Sequence, residues 1–170
     1  METRNIIDYY HYWKTEAIKA DLDSKRHPFS ILCLNIHGDF NIGTIIRNAN
    51  AFLASKVYIY GRKQFDRRGT VGTHAYENLK YVKEIDDLSF IDNYNVVAVD
   101  NIGKADPIDD FIWPDNPLMV FGSEQVGIDD EKILRKCSKF VYIKQYGSTR
   151  SLNVGCASAI TMQDWCKKNA

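Results

Sequence analysis

The sequence lacks both an excess of one charge and any long apolar segment. Its 22 lysine and arginine residues balance its 22 aspartate and glutamate residues over 170 positions, so RNA binding would need a local basic patch. No apolar run approaches the roughly 18 residues of a membrane-spanning helix, and the first residues lack the apolar core of a secretory signal. We therefore expect no membrane partner and a cytoplasmic location.

Cysteine is scarce, and its spacing does not indicate a metal site. None of the four cysteines belongs to a C-x-x-C pair, the spacing typical of zinc sites and redox motifs. Cys33, Cys137, Cys156 and Cys166 lie in apolar or helical segments. The pattern predicts four buried free thiols in a reducing cytosol.

Two common nucleotide-binding motifs are also missing. No G-x-G-x-x-G follows the first apolar run, since Gly38 and Gly43 do not supply it, and Gly103-Lys104 lacks the spacing of a P-loop. The aspartates between positions 100 and 115 match no calcium loop. We therefore predict no metal site, and no dinucleotide site near the start of the chain.

What the sequence does contain is an alternation of strand and helix patterns. Residues 29–36 form a near-continuous apolar run, typical of a strand buried on both faces. Residues 42–53 have helical spacing and residues 56–61 return as a strand, and this βαβ unit predicts a parallel sheet. The patterns continue as strands at 79–83, 94–99, 117–121 and 140–143 and as helices at 86–92, 129–136 and 154–168. Together they predict one α/β domain over residues 1–170.

The N-terminal residues have an amphipathic pattern. Apolar side chains, among them Tyr10 and Trp13, recur near helical spacing from Thr3 to Asp23. This spacing predicts a single helix within an N-terminal helical extension at residues 1–27. We expect the helix to pack on the body of the domain. Alternatively, its aromatic face forms a dimer interface or guides RNA.

Three predicted strands end in loops that should meet at one edge of the sheet. The loops are residues 99–101, 122–127 and 143–151, and ligands of open α/β sheets bind at the carboxyl ends of the strands. A pocket rich in backbone amides and carbonyls suits the edges of a purine. The third loop leads into the last helix, for which Ser151 or Asn153 is a suitable N-cap. The pattern therefore predicts an adenine-bearing ligand bound late in the chain.

Three segments, in this order, resemble the signature motifs of the SpoU (TrmH-like) branch of the SPOUT RNA methyltransferases. They are residues 41–47 (NIGTIIR), 121–128 (FGSEQVGI) and 141–155 (VYIKQYGSTRSLNVG). The resemblance implies a parallel-sheet α/β knot (the SPOUT fold), in which the C-terminal segment forms a trefoil knot. It further implies a homodimer that binds S-adenosylmethionine and methylates a ribose 2′-hydroxyl in tRNA or rRNA.

The same resemblance implies which residues form the site. Gly122, Ile143 and Leu152 would hold the cofactor, with Val99 and Ser151 nearby. The reaction centre would consist of Asn41, Arg47, Glu124, Ser151 and Asn153. We expect Arg47 to clamp the phosphate of the target and stabilise the forming alkoxide, because a guanidinium is hard to deprotonate. Action as the base is the alternative, and Glu124 would orient Arg47 or a neighbouring Asn.

A basic segment follows the second predicted strand. Four cations lie within nine residues, namely Arg62, Lys63, Arg67 and Arg68. Arginine binds phosphate bidentately and stacks on bases, so the segment is a candidate RNA-binding loop. A solvated charged loop is the alternative.

This chain departs from the family pattern at three positions. Lys144-Gln145 stands where the family usually has Pro-Met, and Gly155 stands where it has Ser. We expect Lys144 to place a charge near the cofactor loop and the missing Pro to loosen that loop. Two other functions fit the sequence, a non-catalytic dimeric RNA-binding protein derived from this family and a base-directed RNA methyltransferase.

Overall fold

The computed structural model describes residues 5–35, 40–83, 85–123 and 126–170. The strands are β1 (His27–Asn35), β2 (Ala54–Gly61), β3 (Leu79–Val82), β4 (Asn95–Val99), β5 (Asp106–Pro107), β6 (Pro117–Phe121) and β7 (Lys139–Tyr142). The helices are α1 (Thr15–Asp23), α2 (Asn41–Ala51), α3 (Glu131–Lys136) and α4 (Val154–Asn169). Short 3-10 turns occur at Asp8–Tyr10, Arg67–Thr70, Thr73–Ala75, Ile85–Asn93 and Ile108–Asp110.

The strands form one parallel seven-stranded sheet in the order β3-β2-β1-β6-β4-β7-β5. The predicted α/β class with a parallel sheet is therefore confirmed. The central strand β6 is buried along its whole length, because apolar clusters cover both faces of the sheet. This burial on two sides explains why the central strands have continuous apolar runs rather than an alternating pattern.

The register aligns the carboxyl ends of the strands that matter for the site. Phe121 at the end of β6 pairs with Val99 at the end of β4, and Val99 pairs with Val141 in β7. The three loops that follow these strands are therefore neighbours, as the sequence predicts. The short strand β5 was not predicted. It pairs with β7 through Asp106 and Pro107, and proline is tolerated because this is an edge strand.

The prediction of one N-terminal helix is wrong for the described residues. A 3-10 turn at Asp8–Tyr10 is separated from α1 by Lys14, whose backbone is extended (φ −72°, ψ 151°). Tyr10 is buried with Ile18 and Tyr76, and its hydroxyl donates to Asp21 at 2.5 Å. The turn before α1 lets the ring of Tyr10 anchor on the domain. These residues therefore pack on the body of the domain, which is the first of the two expectations for this segment.

A buried ion pair joins the segment before β1 to the residues just before β3. Arg26 donates to a carboxylate oxygen of Glu77 at 2.9 Å, and to the backbone carbonyls of Ala54 at 2.8 Å and Tyr76 at 2.7 Å. Asn50 donates to the other oxygen of Glu77 at 2.8 Å. Burial raises the pKa of Glu77, and the nearby guanidinium opposes that shift. The pair is stable because its polar atoms have partners.

The cysteines match the prediction only in part. All four are free thiols, but Cys156 is exposed, whereas Cys33 is buried and Cys137 and Cys166 are half-buried. The side of α4 that carries Gly155 and Ser158 faces α2. Cys156 lies on a different side of the helix and is therefore exposed. Within the described ranges, no helix has both the length and the hydropathy needed to cross a bilayer.

Candidate active site

A cavity of about 500 Å³ opens where the loops after β4, β6 and β7 meet the first turn of α4. Its size lies within the range of small-molecule sites. All five predicted cofactor residues line it: Val99, Gly122, Ile143, Ser151 and Leu152. Its other lining residues are Asp100, Asn101, Phe121, Ser123, Val126, Gly127, Tyr142, Gln145, Arg150, Val154 and Ala157.

Two glycines allow the loop after β6 to fold back on itself. The backbones of Ser123 and Gly127 exchange hydrogen bonds of 3.0 and 2.8 Å. A Cβ added to Gly122 would lie 2.1 Å from the carbonyl carbon of Gly127, closer than any side chain can approach. Gly127 has a φ of +71°, which favours glycine. Glu124, predicted for the reaction centre, lies outside the described residues.

Asp100 connects two of the loops. Its Oδ2 accepts from the amide of Ile128 at 3.0 Å, and its Oδ1 accepts from the amide of Asn101 at 2.7 Å. A Cβ on Gly127 would come within 2.6 Å of Oδ2, so the carboxylate packs against the second glycine of the hairpin. The sequence patterns place this residue in the first of the three cavity loops and exclude it as a metal ligand, but they give it no role of its own. Its position directly after a buried strand was the available signal of a positioning role.

Two buried polar atoms on the cavity wall have no hydrogen-bond partner among the described residues. They are Ser123 Oγ and Gln145 Oε1. Leaving a buried donor or acceptor unsatisfied costs about 1–3 kcal/mol. Both atoms have almost no accessible surface in this conformation, so a bound molecule can supply the missing partner only after the side chain rotates.

The amino ends of α2 and α4 are joined through two predicted catalytic residues. The Nδ2 of Asn153 donates to the Oδ1 of the buried Asn41 at 2.9 Å. The Oδ1 of Asn153 accepts from the amides of Gly155 at 2.9 Å and Cys156 at 3.3 Å, so Asn153 is the N-cap of α4. The prediction that these two residues share a site is consistent with this contact. Ser151, the other candidate cap, is instead an exposed residue at the cavity.

Arg47 lies in the second turn of α2 and is exposed. It is not among the residues that line the cavity, and its guanidinium makes no ion pair with another residue that the structure describes. Arg47 belongs to the helix whose first residue, Asn41, contacts the cap of α4.

The basic segment packs against the first turn of α2. A Cβ on Gly43 would lie 2.6 Å from the carbonyl oxygen of Asp66, so two backbones touch there. Arg68 is exposed but donates to both oxygens of Asp66, at 3.0 and 2.5 Å, and this lowers the pKa of Asp66. Arg67 is exposed. Burial lowers the pKa of His74, and the charge of Arg67 adds to that shift. Arg67 is thus the less compensated of the two cations.

The remaining cations of this segment lie apart from that contact. Lys63 stacks over the ring of Tyr81 with 5.2 Å between the ammonium and the ring centroid, and Arg62 is exposed. The structure brings Arg67 and Arg68 next to α2, and it places Lys63 against β3. The described residues contain no group of three or more His, Cys, Asp and Glu side chains placed to hold a metal ion.

The model of the SpoU rRNA Methylase family matches residues 28–163, which is most of the chain and includes the whole cavity. The chain belongs to this family. A comparison with curated proteins gives no match.

Solved structures of SpoU proteins share the fold. The A. aeolicus TrmH/SpoU tRNA modifying enzyme has 22% identity and a TM-score of 0.77, covering 91% of this chain and 83% of the enzyme. The SpoU methyltransferase AviRb from Streptomyces viridochromogenes, in complex with AdoMet, has 23% identity and a TM-score of 0.74, covering 84% and 58% of the two chains. An RNA 2′-O ribose methyltransferase has 20% identity and a TM-score of 0.74, covering 84% and 58%. This chain therefore spans less than two thirds of AviRb.

The structure explains one departure from the usual SpoU pattern. A Cβ on Gly155 would lie 2.8 Å from Cγ2 of Thr44, so a serine at this place would crowd the threonine on α2. The side chain of Asn48 fills the same contact by donating to the carbonyl of Gly155 at 2.8 Å and to Ser158 at 2.9 Å. Glycine therefore suits the close approach of α2 to α4.

The departure at Lys144 places its charge on the solvent side of the loop after β7. Lys144 is exposed, is not among the cavity-lining residues, and stacks on Tyr146 with 5.3 Å from ammonium to ring centroid. The expected charge near the cofactor loop thus points away from the cavity. Gln145, by contrast, lines the cavity.

Proposed function

We propose that the chain is an RNA methyltransferase that uses S-adenosylmethionine to methylate a ribose 2′-hydroxyl in tRNA or rRNA. The observation that carries the proposal is the cavity at the carboxyl ends of β4, β6 and β7, lined by every residue that the motifs predicted for the cofactor. Support comes from family membership and from neighbours described as AdoMet-bound and as a 2′-O ribose methyltransferase.

The residues of the cavity fit such a cofactor. Val99, Ile143 and Leu152 offer apolar surface for a flat ring. Ser123 and Gln145 offer polar atoms that have no partner among the described residues. Arg150, a cation at the same cavity, suits a carboxylate. Apolar walls with a few convergent polar groups are typical of nucleoside sites.

When bound, S-adenosylmethionine supplies a methyl group already activated on a sulfonium. The protein must then align the ribose oxygen and assist loss of its proton. The joined ends of α2 and α4 provide a rigid base for this, since Asn41 and Asn153 hold each other. Arg47 extends from the same helix into solvent, where it can clamp a phosphate and stabilise the forming alkoxide. Within the proposal, Ser151 faces the ribose and Glu124 orients Arg47 or a neighbouring amide.

RNA binding is proposed for the surface beside α2. Exposed Arg67 and Arg68 adjoin the helix that carries Arg47, with Arg62 and Lys63 farther along the same segment. Phosphate contacts from these cations would position the RNA without reading its sequence.

A homodimer, the trefoil knot and a cytoplasmic location complete the proposal. The side of α4 that carries Gly155 and Ser158 contacts α2 within the chain, so it is not free for a second subunit. The exposed Cys156 and Ile160 lie one turn apart on another side of α4 and are the better candidates for that contact. Free thiols suit the reducing cytoplasm.

Calorimetry with S-adenosylmethionine, with and without a chelator, tests the cofactor proposal. We expect the same binding in both conditions. Gly122→Ala should abolish the signal because its Cβ would strike Gly127. Gly147→Ala is the matched control, since a Cβ there meets nothing within 4 Å, and it should bind as wild type does. Absence of binding by a folded wild-type protein would favour the non-catalytic RNA-binding alternative.

Nucleoside mass spectrometry of RNA from cells with and without the gene tests the reaction. Loss of one 2′-O-methylated nucleoside in the deletion strain is expected. Loss of a base-methylated nucleoside instead would establish the base-directed alternative and refute the ribose assignment.

A further inference from the structure

Two of the four buried side-chain polar atoms without a partner among the described residues belong to the cavity wall. These atoms are Ser30 Oγ, Ser123 Oγ, Gln145 Oε1 and Trp165 Nε1. Ser30 and Trp165 do not line the cavity, whereas Ser123 and Gln145 do. A hydroxyl can rotate to donate or accept, so Ser123 does not define the partner that it needs. The carbonyl oxygen of Gln145 can only accept.

The loop after β7 alternates between the cavity and solvent. Ile143 and Gln145 line the cavity, while Lys144 and Tyr146 are exposed and stack on each other. This alternation is what an extended backbone produces. It places the side chain of Gln145 on the cavity side of the loop. The carboxamide oxygen has no hydrogen-bond partner there among the described residues.

The other polar side chains of the cavity differ from Gln145 in what they offer. Asn101 carries the other carboxamide among the described lining residues, but its side chain is exposed, whereas Gln145 is half-buried. Asp100 is the one carboxylate among the lining residues that the structure describes, and both of its oxygens already accept backbone amides. Arg150 can only donate. A ligand group that donates an N–H in this cavity is therefore matched by Gln145 better than by either of these charged residues.

We infer that Gln145 recognises the exocyclic amino group of the adenine ring and is a specificity-determining residue of the cofactor site. The inference rests on the proposed function and goes beyond it, since the family usually has a methionine at this place and that side chain cannot make such a bond. Glutamine can pair with adenine through one acceptor and one donor. Rotation about its terminal torsion, which is broad and soft, turns the carbonyl oxygen from the wall toward the ligand.

The test compares two ligands that differ only at this amino group. They are S-adenosylhomocysteine and its 6-deamino analogue, which has purine in place of adenine. Calorimetry measures both dissociation constants for wild type, Gln145→Met and Lys144→Met. Methionine preserves the length of the side chain and removes the amide, and Lys144→Met makes the same replacement on the solvent side of the loop.

Wild type should bind the deamino analogue about five- to tenfold more weakly, the effect of one neutral hydrogen bond. Gln145→Met should bind the two ligands within about twofold of each other, and Lys144→Met should keep the wild-type ratio. Equal affinities in wild type would overturn the inference and leave the cofactor proposal intact, and this result needs no variant to fold. Binding of neither ligand by wild type would overturn the cofactor proposal and, with it, the role of Gln145.

Discussion

Replacing Asn153 by alanine should both loosen α4 and disconnect the two helix ends of the proposed site. The change removes the cap from a 16-residue helix, which costs about 1 kcal/mol. It also removes the donor to Asn41, and a typical hydrogen bond contributes about 1 kcal/mol more. The expected loss is therefore about 2 kcal/mol, or about 4–8 °C in Tm for a domain of this size.

Asn153→Asp separates the two contributions. An aspartate oxygen still accepts from the amides of Gly155 and Cys156 and is favoured at a helix N-terminus. It cannot donate to Asn41, however, and it brings two acceptor oxygens together. We expect thermal unfolding to show a smaller loss, about half that of alanine, while methyl transfer falls as strongly as in the alanine variant. Addition of Asn41→Ala to Asn153→Ala should cost less than the sum of the single changes.

An unchanged Tm for Asn153→Ala, measured by circular dichroism, would refute the assignment of Asn153 as the cap. Normal transfer by a stable Asn153→Asp protein would show instead that the bond to Asn41 is structural only.

Three further outcomes are expected. Arg47→Ala should keep S-adenosylmethionine affinity within about threefold in calorimetry and lower methyl transfer at least about a hundredfold, the scale for one positioned catalytic group. Arg47→Lys should restore little of the transfer rate. Full rescue by this lysine, with a pH profile moved to lower pH, would indicate that residue 47 acts as a base. Arg67→Ala should reduce the salt slope of RNA binding in filter assays by about 0.7–0.9, and more than Arg68→Ala does, because Asp66 compensates Arg68; equal slopes would remove Arg67 from the interface. With a thiol reagent at pH 8, Cys156 should react first and Cys137 far more slowly. Burial raises the pKa of Cys137 to about 11 and so lowers its thiolate fraction about a hundredfold. Mass spectrometry of the modified peptides measures both rates, and equal rates for Cys137 and Cys156 would contradict this.

The strand ends and the three loops of the cavity were predictable because buried strands have continuous apolar runs and parallel strands end at one edge. The individual cofactor residues followed from the resemblance to the SpoU motifs. Side-chain chemistry offered Ser151 or Asn153 as the cap of α4, and the structure shows Asn153. By contrast, helical spacing in the N-terminal segment did not reveal the extended Lys14, since spacing does not include the anchor between Tyr10 and Asp21. The inward position of Gln145 depends on the backbone direction of a loop, which sequence patterns do not specify. Glu124 remains a prediction, since it lies outside the described residues.

The pair of Arg26 and Glu77 makes the stability of the domain depend on residues that precede β1. A form that starts at Pro28 would keep β2 to β7 and all of β1 except His27. It would lose the guanidinium that lies against Glu77, and the carbonyls of Ala54 and Tyr76 would lose their donor. The remaining carboxylate would be buried next to no cation, so protonation would stabilise the shortened protein as the pH falls through the raised pKa of Glu77. The residues before β1 thus close the side of the sheet where β2 and β3 meet, and a shortened protein would depend on acid for a stability that the intact chain has at neutral pH.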